Sequence, residues 1–159
     1  MNIRIVPLRE DFLVKVRKDG LDDQNQPVER FAAEGGEPCR DVLRRASPGE
    51  GLVLASYCPF SRPGPYKEYG PVFVLAEPSG EVVDLHALPL PRGAPTDYLG
   101  EQFVLRGYDA RERIVDAMLS TPRTCERDLA RLLEAPRVAF VRVRFAAYGC
   151  YGFRIESAG

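Results

Sequence analysis

The feature that most restricts this chain is the stretch 36–77, where two apolar runs flank a loop broken by proline. Leu52 to Cys58 and Tyr69 to Ala76 are rich in β-branched and aromatic residues and are bounded by turn formers, which predicts two buried strands. Pro48-Gly49 sets a tight turn ahead of the first run. Between the runs, Pro59, Pro63 and Pro65 place three prolines in seven residues. Each removes an N–H donor, so no regular ladder crosses the loop. Proline also narrows the unfolded ensemble, so the loop is expected to be stiff. Its tip carries Arg62, Tyr66, Lys67 and Glu68, polar groups suited to a binding loop, although a solvated crossover between strands reads equally well.

The 159 residues fit one domain over 1–159 that buries its own core. Residues 2–6 alternate as a short strand. Arg9 to Lys18 places Phe12, Leu13 and Val16 on one helical face, with Gly20 as the stop, though strand is a second reading. Val28 to Ala33 reads as a strand entering the Gly35-Gly36 turn, and Cys39 to Ala46 as helix or extended chain. Residues 80–85 suggest a hairpin turn and short strand, and Leu88 to Pro95 an irregular proline-rich segment. Phe103 to Tyr108 is a strand; Arg113 to Met118 is strand or helix. Thr124 to Leu133 is the clearest helix, with Thr124 as N-cap. Arg137 to Phe145 and Tyr148 to Ile155 form a hairpin turning at Ala146-Ala147. The sum is α+β: a mostly antiparallel sheet of about 5–7 strands with 2–3 helices packed on one face.

Charge narrows the function classes. With 22 basic and 23 acidic residues the chain lacks the positive excess on which non-specific nucleic-acid binding runs, so no nucleic-acid partner is expected. No apolar run approaches the ~20 residues of a membrane span, and the first residues lack an apolar signal core. A cytoplasmic location with free thiols is the expectation. Only Lys15, Lys18 and Lys67 are lysine, so the cations are nearly all arginine, by genome composition or by use in anion recognition.

Strand alternation sharpens the second possibility, because side chains two apart share a face. Arg142 and Arg144 share one face, Val141, Val143 and Phe145 the other. Arg106 and Tyr108 share a face, as do Tyr148, Cys150 and Arg154, opposite Tyr151, Phe153 and Ile155. Were these strands neighbours, one sheet side would carry Arg106, Tyr108, Arg142, Arg144, Cys150 and Arg154, which suits a small carboxylate or phosphate held by guanidinium forks. Arg40, Tyr66 and Glu68 join the candidate ligand-binding set. An ordinary solvated sheet face gives the same pattern.

Cys39 and Cys150 are the candidate nucleophiles or redox thiols, with nearby arginine able to favour a thiolate. The alternative is that all four cysteines are small core residues. His86 is the lone histidine and would have to reach a cysteine through space. Glu50, Glu68 and Asp109 are possible general bases. No metal-ligand spacing and no glycine-rich phosphate loop occurs, so neither a metal nor a cofactor follows from the motifs.

In order along the chain come Pro38-Cys39-Arg40, Pro48-Gly49-Glu50, Tyr57-x-Pro59-Phe60, Gly64-Pro65-Tyr66-x-Glu68-x-Gly70-Pro71-Val72-Phe73-Val74, Leu105-Arg106-Gly107-Tyr108 and Tyr148-Gly149-Cys150-Tyr151-x-Phe153-Arg154-Ile155. This series resembles a bacterial family catalogued as domain of unknown function 1203, over a core of about 28–156. The family pattern often has a second cysteine three residues after the first. Val42 stands there, which removes a Cys-x-x-Cys reading. The resemblance implies a soluble, single-domain bacterial protein and brings no reaction with it. The expected function is binding of a small anionic molecule in an Arg/Tyr-lined pocket. The alternatives are a small cysteine-dependent enzyme, or an interaction module using the loop 59–71.

Overall fold

The computed structural model describes residues 1–90 and 98–159. The chain forms two five-stranded sheets, where the sequence suggested one. The first runs β1 (Ile3–Val6), β10 (Tyr151–Ser157), β9 (Phe140–Phe145), β7 (Phe103–Tyr108), β8 (Ile114–Ser120). The second runs β2 (Glu29–Ala32), β5 (Gly51–Tyr57), β6 (Gly70–Leu75), β3 (Pro38–Cys39), β4 (Arg44–Arg45). All pairings are antiparallel except β3 with β6. The division arises because β1 pairs with the distant β10 at the edge of the first sheet, while β2 pairs with β5 in the second.

Each sheet has its own core. On the first, Phe103, Leu105, Val141, Val143, Phe153 and Ile155 face helix α2 (Cys125–Glu134), whose Cys125, Leu129 and Leu132 are buried against them. On the second, Val53, Ala55, Val72 and Val74 face Phe12 and Val16. Those two residues lie on α1 (Glu10–Val14) and the π-helical turn Lys15–Asp19 that continues it to a left-handed Gly20. The helices therefore cover separate sheets. Tyr151 of β10 belongs to the second core and packs tilted against Tyr57 of β5, with ring centroids 5.5 Å apart, so the two sheets meet there.

Locally, the structure resolves some readings and corrects others. Of the two stretches the sequence left open, Cys39 to Ala46 is two short strands, β3 and β4, joined by a turn at 40–43, and 114–120 is strand. Residues 80–85 form no strand; a single bond from Ile5 N to Leu85 O ties them to β1. Thr124 makes no capping bond into α2, and its hydroxyl instead accepts from Thr121 N at 3.3 Å. The irregular segment expected at Leu88 to Pro95 lies partly outside the described residues.

A correction at β10 matters most for the site. The β9–β10 ladder shifts register between Tyr151 and Phe153. Gly152 takes up the extra residue: a Cβ there would meet Val143 O at 3.0 Å. The bulge puts Tyr151, opposite Arg144, on the same side as Arg154, opposite Arg142. The strict alternation that set Tyr151 against Arg154 fails at this one glycine.

Candidate functional site

The side of the first sheet away from α2 carries arginine. Arg106 lies opposite Arg142 across β7 and β9, and Arg142 opposite Arg154 across β9 and β10. Arg144 follows two residues along β9, opposite Tyr151 and Val104. The loop 58–69 folds over this face as a flap.

Arg142 is the flap's central anchor and is completely buried. Its Nη2 donates to Pro59 O at 2.7 Å and lies 3.7 Å from Glu112 Oε1. Its guanidinium sits 3.9 Å from the Phe60 ring centroid, 4.5 Å from Tyr108 and 5.0 Å from Phe140. These rings cage the cation, and Tyr108 and Phe140 are stacked on each other. Burial lowers the pKa of Arg142, opposed by Tyr108 and Glu112. Cys58, Phe60, Tyr108 and Phe140 form a small apolar cluster of their own, so the flap is packed as well as ionically held.

Glu112 pins the flap from the β7–β8 turn. Its carboxylate accepts from Ser61 N at 3.0 Å and from Ser61 Oγ at 2.8 Å. It is buried and holds a left-handed φ of +61°. That conformation is uncommon for a non-glycine residue, and the side chain's bonds to Ser61 supply a reason for keeping it. Further along, Arg113 lies over the Tyr66 ring at 5.8 Å.

At the far end of the flap, Glu68 contacts Arg144 Nη2 and lies 3.7 Å from Arg106 Nη1. Arg144 also donates from Nη1 to Gly149 O at 2.9 Å, and its buried Nε has no hydrogen-bond partner. Burial lowers its pKa. Beside it opens a cleft of about 190 Å³, walled by Tyr57, Pro59, Tyr69, Pro71, Tyr148 and Tyr151, with Glu68, Arg144 and Cys150 as its polar groups. Arg154 lies apart from that cleft, 3.7 Å above the Phe140 ring and paired with Glu156 at 2.5 Å.

The expected site residues thus separate. Glu68, Arg144 and Cys150 line one cleft, and Arg106 borders it through Glu68. Tyr108 and Arg142 are buried under the flap, and Tyr66 is at its exposed tip. Arg40 is buried elsewhere: its Nε donates to Tyr151 O at 2.8 Å, its Nη1 to Pro38 O at 2.7 Å, and it stacks 4.9 Å from the Phe145 ring. Cys39 is wholly buried in the second sheet's outer core, where burial and Asp41 push its thiol up to about 12. Cys150 is the part-exposed thiol, within electrostatic reach of Arg40 and Arg144. His86 is held at Ile3 O, 3.0 Å away, in a pocket with Met1 and Ile3. Among the described residues no cluster of metal-ligating side chains occurs.

Sequence reasoning passed over Glu112, Tyr57 and Tyr151. A glutamate in a short turn after Gly107-Tyr108-Asp109, where glycine or asparagine is the usual choice, was the available signal for the first. The tyrosines read as core, which in part they are.

The fold and site together define an α+β protein of two sheets whose arginine-bearing face is closed by a proline-rich flap. No helix among the described residues is long and apolar enough to cross a membrane. A family model described as Protein of unknown function (DUF1203) matches residues 36–157, and the chain belongs to that family. The matched span starts after β1, α1 and β2 and takes in the flap and Arg106, Arg142, Arg144 and Arg154. No curated protein and no solved structure matches the chain.

Proposed function

We propose that this chain binds a small anionic molecule in the cleft beside Arg144. The observation that carries the reading is a charge imbalance. Arg106, Arg142, Arg144 and Arg154 share one sheet face, and their partners among the described residues are Glu112, Glu156 and a single Glu68 divided between Arg106 and Arg144. One positive charge is left over where the cleft opens. A part-buried guanidinium is a strong carboxylate or phosphate receptor. Tyrosine and proline walls would cover a ligand's body while Arg144 takes its charge.

Thermal-shift measurements with small carboxylates and inorganic phosphate test this. A true ligand at 100 times its Kd stabilises by about 2.7 kcal/mol, and Arg144→Gln should abolish the shift. An equal shift in the variant removes Arg144 from the site.

A second reading attaches to Cys150, because the thiol shares the cleft with Arg144. In that case a bound acid would lie next to a nucleophile, and the cysteine would contribute chemistry rather than packing. Turnover or covalent labelling that depends on both Cys150 and Arg144 would distinguish it from simple binding.

A further inference from the structure

We infer that Glu68 is a built-in competitor for Arg144, and that the ligand to which it gives way is a monocarboxylic acid; this rests on the anion-binding reading above. Glu68 and Arg144 differ sharply in freedom. The Glu68 side chain is 43% exposed and that of Arg144 8%. Arg144 is fixed from a sheet strand and tied to Gly149 O, whereas Glu68 comes from the flap. The glutamate is the partner that can move.

It also has somewhere to go. Arg106 lies 3.7 Å from the same Glu68 oxygen and has a 32% exposed side chain. Arg106 does not line the cleft. When an incoming carboxylate takes Arg144, Glu68 passes over to Arg106, and two cations then face two anions one to one. The surplus charge that draws the ligand in is consumed by this exchange.

The same count selects the class of acid. One surplus positive charge matches a monoanion, whereas a phosphate monoester carries about −1.5 to −2 at neutral pH. The guanidinium edge already holds a planar carboxylate, that of Glu68. The rest of the cleft offers rings, from Tyr57, Tyr69, Tyr148, Pro59 and Pro71, and at about 190 Å³ it falls below the usual drug-sized pocket of about 300 Å³ or more. A small acid with an apolar body fits those walls.

Arg106 should then tune affinity without touching the ligand. Calorimetric titration of benzoate and inorganic phosphate into the wild type, Glu68→Ala, Arg106→Gln and the double variant tests this, with melting temperatures confirming that each is folded. Benzoate should bind about tenfold more tightly to Glu68→Ala, equivalent to about 1.4 kcal/mol. It should bind several-fold more weakly to Arg106→Gln, where Glu68 has no alternative partner. In the Glu68→Ala background the Arg106 change should have little effect. Unchanged or weaker benzoate binding in Glu68→Ala overturns the competitor role, as does an equal Arg106 effect in both backgrounds. Phosphate binding more tightly than benzoate overturns the ligand class. Absence of binding by both probes in every folded variant removes the anion-binding reading itself, an outcome distinct from a failed competition.

Discussion

Arg106 and Arg142 face each other directly across β7 and β9, two like charges at one ladder position. Such a pair is destabilising unless each charge is neutralised separately. Here Arg106 turns to Glu68 on the flap, and Arg142 to Glu112, Pro59 O and an aromatic cage. The repulsion between the strands is therefore relieved partly by the docked flap, through Glu68, Pro59 O and Phe60, and partly by Glu112 from the β7–β8 turn, which couples the closed loop to the sheet beneath it.

Replacing Arg142 should accordingly be costly. Arg142→Met leaves Glu112 buried without its cation, and breaking a buried pair costs about 3–5 kcal/mol. The double change Arg142→Met/Glu112→Gln should cost less than the single one, because no buried charge is left over. Urea denaturation of the three proteins checks this; a double variant as unstable as the sum of the two singles contradicts it.

The Gly152 bulge makes a structural prediction. A side chain at 152 would press on Val143 O, so Gly152→Val should destabilise by about 1–3 kcal/mol. It should also disturb Tyr151 and the cleft wall, seen as faster hydrogen exchange in β9 and β10. A fully stable variant would mean that the bulge is not required.

Thiol reactivity should separate the cysteines. Cys39, Cys58 and Cys125 are buried and Cys150 is part-exposed. Burial pushes the Cys39 thiol up to about 12, so it carries almost no thiolate at pH 8. Iodoacetamide at pH 8 should label Cys150 first, and Cys150→Ser should remove the fast phase. Early labelling of Cys39 would contradict the packing described for the second sheet.

Arg44 sets an acid-side dependence. It bonds Glu50 and Glu81, and holds Glu81 down at about 2 and Glu50 below its ordinary value. Carboxylates depressed in the folded state contribute stability above their unfolded pKa, near 4.3, that is lost as pH falls through the folded value. The groups are part-exposed, so the whole effect is at most about 1 kcal/mol. The Tm difference between wild type and Arg44→Gln should be largest above pH 5 and shrink between about pH 4.5 and 2. A difference that grows on acidification would contradict the sign.

The strands around the flap were legible in sequence because β-branched runs between proline and glycine turns leave little alternative: β5, β6 and β7 fall where expected. Period-two alternation likewise placed Arg142 with Arg144, and Arg106 with Tyr108. The division into two sheets was not legible, since β1 and β10 are joined by pairing across the length of the chain. Nor was the flap's inward closure, which depends on Glu112 in an unusual turn conformation and on Phe60 finding Arg142. Tyr151 was assigned to the wrong side because a bulge shifts every later side chain by one, and a glycine in a strand announces that only weakly.

If Arg144 receives an acid's carboxylate, its own Nε–H group reports on that directly. In a ¹⁵N-labelled sample, the Arg144 Nε–H resonance, assigned by its loss in Arg144→Lys, should shift saturably as benzoate is added. The Arg154 Nε–H resonance, paired with Glu156 away from the cleft, should stay in place. Saturable movement of other arginine signals with Arg144 unmoved would contradict Arg144 as the receptor.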